Sequence, residues 1–146
     1  MIPPAHSAAT AGHSAGFSLV ELLAVLALLG ILTATAYPAY TEQLRQSRRV
    51  EGMSALLELA TRLEGYRADH GTYAGAALGA GALFPAASRN GHYRLAIEAA
   101  SATGYRLSAT PTRSHDQHRD RCGTLTLDSL GVRGTSNASG QTRCWR

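Results

Sequence analysis

One acid stands where an acid is costly. From Phe17 to Ala36 the chain runs twenty residues, FSLVELLAVLALLGILTATA, and Glu21 is the only charge among them. At about 1.5 Å per residue, a helix of this length spans about 30 Å, the thickness of a bilayer core. A charged side chain at mid-bilayer costs roughly 2.5–3.5 kcal/mol, and less near an end, so such a residue points to function. A cut after Gly16 would supply the missing partner. It would place an amino group on Phe17, one helical turn from Glu21, where the helix N-terminus adds further positive potential. In a side-by-side array of such helices, Glu21 could instead reach a neighbour's amine and set the stagger between them.

The other chemistry lies near the C-terminus. Cys122 and Cys144 are the only cysteines. An isolated pair downstream of a membrane span suggests a disulfide in an oxidising compartment, with two buried thiols as the alternative. A disulfide here would close a loop of about twenty residues, typically worth about 2–4 kcal/mol. His115, His118 and Cys122 are spaced H-x2-H-x3-C, with Cys144 as a fourth donor, an inventory that suits zinc. Arg113, Arg119, Arg121 and Arg143 surround it and oppose a cation, so we expect no metal and no cofactor. Arg113, Arg119 and Arg121 also offer a contact for DNA or a partner, although no aromatic platform is interleaved with them. Asn137-Ala138-Ser139 matches a glycosylation acceptor, a short match that occurs often by chance. No nucleophile elbow, phosphate-binding glycine loop or paired-carboxylate cluster is present, and we expect no enzyme.

Length and composition bound the fold. The chain has 146 residues and a net charge of +4, and all fourteen of its basic residues are Arg. That charge is too modest and dispersed to argue nucleic-acid binding by itself. Residues 1–16 are small, polar and proline-containing, and read as a leader. Residues 17–38 form the apolar helix and residues 39–146 a globular domain. Pro38 removes a helix hydrogen bond and clashes with the carbonyl four residues back, so a kink or melted turn is expected over residues 34–38. Thr33 and Thr35 are placed to satisfy backbone groups that such a turn frees. Beyond it, Val50, Met53, Leu57 and Ala60 recur at helical spacing, widened by Leu56 and Leu63, and predict a core-facing stripe over residues 41–67. Arg45, Arg48 and Arg49, just past the span, could meet lipid phosphates or a neighbouring subunit's acids, or could form a solvated face. Gly71 suits a helix C-cap.

Residues 74–91 read as a Gly/Ala-rich loop pinned by Leu78, Leu83 and Phe84. Alternation then predicts strands over residues 92–98, 104–109 and 124–127, with a fourth around Val132. The sum is α+β: a long N-terminal helix and a meander of about four antiparallel strands, which must bury its apolar face against the helix.

The string Gly16-Phe17-Ser18-Leu19-Val20-Glu21 ahead of an apolar run resembles the processing and assembly signature of type IV prepilins. Asp69-His70-Gly71-Thr72-Tyr73 resembles the stretch that follows the pilin helix, and the segment from Cys122 to Asp128 with the Cys144-Trp145 end resembles minor pilins of the PilE type. The resemblance implies the type IV pilin fold with a C-terminal disulfide loop. It implies cleavage between Gly16 and Phe17 by a prepilin peptidase, methylation of Phe17, and an assembly role for Glu21 and Pro38. The leader departs from the family in carrying no Lys or Arg, only His6 and His13. The Arg cluster after the span would by itself favour the cytoplasmic side, whereas the family topology puts it outside.

The implied partners are other pilin subunits, the peptidase, an inner-membrane assembly platform and membrane lipid. The implied location is the inner membrane before assembly and a surface filament after it. The implied function is that of a structural subunit, more minor than major, supporting pilus biogenesis, twitching motility or adhesion. A type II secretion pseudopilin is one alternative, disfavoured by the cysteine pair. A DNA-uptake minor pilin is the other.

Overall fold

A computed structural model describes residues 17–137 and 141–145. Its first element is helix α1, Leu19–His70. Four strands follow: β1 Tyr93–Ala100, β2 Tyr105–Pro111, β3 Leu125–Asp128 and β4 Arg133–Thr135. A short 3-10 turn, η1, covers Ser114–Arg119 between β2 and β3. A four-residue helix, α2, covers Gln141–Cys144. The strands form one antiparallel sheet in the order β1-β2-β3-β4, the meander that the alternation predicts. By contacts the chain divides after Pro38 into two units.

In the first unit the expected melted turn is not seen, because helical structure continues unbroken through Pro38. Nor do the threonines serve the expected carbonyls. Thr33 Oγ1 donates to the Leu29 and Gly30 carbonyls, and Thr35 Oγ1 to those of Ile31 and Leu32, all one turn back along the helix. The apolar side chains from Phe17 to Leu32 are exposed. An 18-residue window of α1 has a mean hydropathy of 2.3 and none of it is buried.

In the second unit, α1 lays Ala55, Leu56, Leu59 and Leu63 against Tyr93, Leu95, Tyr105, Leu107, Ala109, Leu125 and Leu127 of the sheet. Of the predicted stripe, Leu56 and Leu63 are fully buried and Met53 and Ala60 pack against the core, but the face does not follow the stripe throughout. Val50 and Leu57 are 49% and 45% exposed, while Arg49 and Gly52 are buried. The cause is the Tyr93 ring, which occupies the space above Gly52: a Cβ there would lie 2.9 Å from it. A glycine and an arginine at the N-terminal end of the buried face are invisible to a search for apolar periodicity.

Gly71 takes φ +73° and its N–H bonds to the Arg67 carbonyl at 2.7 Å, the C-terminal cap expected of it. The following loop is pinned as predicted: Phe84 is buried and pairs with Leu78, and Leu83 packs against the core.

Candidate functional site

The connection between β2 and β3 carries Arg113, Arg119 and Arg121, and a buried network beneath it holds it in place. Arg113 is exposed at the start of η1. Arg119 closes the turn with its side chain 67% exposed and 4.0 Å from Asp116. Arg121 is 68% exposed, with Nε 3.3 Å from Glu42 Oε1 on α1. Exposed pairs of this kind contribute about 0–1 kcal/mol, so both guanidiniums remain available to another anion.

Beneath them lies an ion pair. Arg49 donates to Asp120 from Nε at 2.9 Å and from Nη2 at 2.6 Å, and both side chains are almost fully buried. Asp120 also accepts the Cys122 N–H at 3.1 Å and the Tyr93 hydroxyl at 3.3 Å. The hydrogen bond to Asp120 raises the Arg49 guanidinium above its ordinary value, against the opposing effect of burial. Burial pushes the Tyr93 hydroxyl up as well, so it stays protonated and donates. Removing one partner of a buried pair strands a charge at a cost of about 3–5 kcal/mol. The network therefore fixes where the arginine-bearing connection leaves the body.

Sequence reading found the three exposed arginines but not what fixes them. Arg49, grouped there with Arg45 and Arg48 as a lipid-facing, subunit-facing or solvated cluster, is instead internal. Asp120 gave one signal, a lone acid between Arg119 and Arg121. Its partner lies 71 residues away, beyond any local pattern.

Cys122 and Cys144 are joined in a disulfide. It ties α2 to the residue two places after Asp120. The bond takes up both sulfurs of the proposed zinc inventory, so that ligand set cannot form while the bond is intact. His118 is exposed on η1, and the His115 side chain lies outside the described residues. Asn137 donates from Nδ2 to the Arg121 carbonyl at 2.6 Å, while Ala138 and Ser139 of the glycosylation motif lie outside the described residues.

At the other end of the chain, Gly16 of the predicted cut lies outside the described residues. Phe17 begins them, 79% exposed. Glu21 stands in the first turn of α1, where the helix dipole favours an acid.

Two family descriptions match the chain. Residues 38–126, more than half the chain, match a family described as type IV minor pilin ComP, DNA uptake sequence receptor. Residues 12–37 match the prokaryotic N-terminal methylation motif. Among solved structures, the non-core minor pilin PilV of Neisseria meningitidis aligns with TM-score 0.55 at 21% identity, over 67% of this chain and 92% of that one. A type IV pilin from Shewanella oneidensis aligns at 29% identity over 70% of this chain and 98% of that one, with TM-score 0.45. The fold comparison rests on the first of these. A search of curated proteins found no match.

Proposed function

The chain belongs to the ComP family of type IV minor pilins, and from that premise we propose that it is a filament subunit that binds DNA through the arginines flanking η1. A membrane peptidase cuts between Gly16 and Phe17 and methylates the new amine of Phe17. The apolar part of α1 then holds the subunit in the inner membrane until the assembly machinery moves it into a filament. There the same apolar surface meets other helices in place of lipid. Glu21 offsets its own cost by pairing with an N-terminal amine and so sets the register. The expected outcome for Glu21→Ala is a chain that stays in the membrane but enters sheared filaments poorly. Normal recovery of that variant from filaments would remove the register role.

One observation carries the DNA reading. The family match runs across residues 38–126 and so includes Arg113, Arg119 and Arg121, all three exposed on a connection anchored from below. Guanidinium groups suit phosphate through bidentate hydrogen bonds. Each phosphate neutralised on duplex DNA contributes about 0.9 to the slope of log affinity against log salt. The test titrates the full chain in detergent with a double-stranded oligonucleotide across a salt series. Replacing Arg119 and Arg121 together with Ala should weaken binding and flatten the slope by roughly two contacts. An unchanged slope would place the DNA surface elsewhere.

A further inference from the structure

We propose that Gln117 is a positioning residue: it pegs η1 to α1 and to the Arg49–Asp120 pair, so that Arg113, Arg119 and Arg121 are presented as one preformed surface. This rests on the DNA-binding reading above and adds to it a residue that touches no ligand.

On η1, Asp116, His118 and Arg119 are exposed, whereas Gln117 has no exposed surface at all. A glutamine flanked by charged and polar residues has no hydrophobic reason to be buried, and burying an amide is unfavourable unless it is hydrogen-bonded. Its Nε2 meets three acceptors: the Arg45 carbonyl of α1 at 3.2 Å, the Tyr93 hydroxyl of β1 at 3.0 Å and Asp120 Oδ2 at 3.3 Å. The carbonyl and the carboxylate can only accept, which fixes the amide's orientation with nitrogen toward them. Gln117 Oε1 is buried and has no hydrogen-bond partner among the described residues. The side chain is thus held by what its nitrogen donates.

Backbone hydrogen bonds close the turn at both ends. The Asp120 N–H bonds to the Gln117 carbonyl at 2.9 Å, and Asp116 N–H to the Arg113 carbonyl at 3.3 Å. Arg113, Arg119 and Arg121 therefore leave a short segment whose one buried side chain within η1, among those described, is Gln117, and whose exit is locked by Asp120. Binding to several phosphates at once is favoured when the cations need not be gathered first. Without the peg, η1 keeps its charges but loses their fixed spacing.

The experiment compares the unaltered full chain in detergent with Gln117→Met and Tyr93→Phe. Gln117→Met keeps length and apolar volume but donates no hydrogen bond. Tyr93→Phe removes the hydroxyl that accepts from Gln117 and donates to Asp120, and leaves the ring packed over Gly52. Each protein is titrated with a random-sequence duplex oligonucleotide over a salt series, and amide hydrogen exchange is followed at residues 113–121. Gln117→Met should speed exchange in that segment, lower affinity on the order of tenfold and reduce the salt slope by about one phosphate contact. Tyr93→Phe should move all three in the same direction by less. Should Gln117→Met fail to fold, Tyr93→Phe alone decides, since it leaves the core intact. Faster exchange with affinity and slope unchanged would overturn the positioning role and leave the DNA reading standing. An unaltered chain that shows no salt-dependent binding would overturn the DNA reading, and this inference with it.

Discussion

Glu51 illustrates how a partly buried acid is held by its neighbours. Its carboxylate accepts from the Asn90 N–H at 2.8 Å and the Asn90 side-chain amide at 3.0 Å, and lies 2.6 Å from His92 Nδ1. Burial alone would raise this carboxyl, but the hydrogen bonds from His92, Ser88 and Asn90 together outweigh it and hold the group at about 2 against an ordinary 4.5. A group depressed in the folded state stabilises it fully above its unfolded value and loses that contribution as pH falls toward the folded value. The chain should therefore lose stability between about pH 5 and pH 2, with roughly 2 kcal/mol attributable to this residue. Glu51→Gln should flatten the acid limb of a plot of unfolding midpoint against pH. Parallel acid limbs for the two proteins would show that the Asn90–His92 cradle contributes nothing to the acid limb.

The elements differ in how openly the sequence announces them. The strands were legible because period-two alternation is local: Tyr93 and Leu95 face the core at the predicted positions, while β1 departs at a register shift between Ile97 and Ala99, Ser108 of β2 is buried against the alternation, and Val132 is exposed just before β4. The helix end was legible because Gly71 has one conformational use there. The buried face of α1 was legible at Leu56 and Leu63 but not at Arg49 and Gly52, because Gly52 yields its space to Tyr93 and Arg49 is neutralised by a partner on a distant connection. η1 was not legible as an element. Its residues are polar, and what buries Gln117 and Asp120 is a set of hydrogen bonds to Arg45, Arg49 and Tyr93, which no sequence window contains. The site divides likewise. The exposed arginines can be picked out by residue type, whereas the residues that fix them cannot. Pro38 shows a limit of the opposite kind: a residue expected to break a helix lies within one, since loss of a single N–H does not by itself unfold a long helix.

At the scale of the whole molecule, two units serve two surroundings. The N-terminal unit exposes its apolar side chains along α1 and is suited to lipid or to other helices. The C-terminal unit buries its own core and directs charge outward on the β2–β3 connection. This division follows if the chain is made as a membrane precursor and then transferred to a filament, with Glu21 and a newly made amine on Phe17 setting its register. Both would depend on one covalent event, the proposed cut after Gly16. The direct test is the intact mass of the chain extracted from membranes, before and after reduction. The account predicts loss of residues 1–16, the addition of one methyl group, and a gain of two hydrogens on reduction of Cys122–Cys144. A full-length, unmethylated chain would contradict it, leaving a membrane-anchored protein with a pilin fold and no route into a filament.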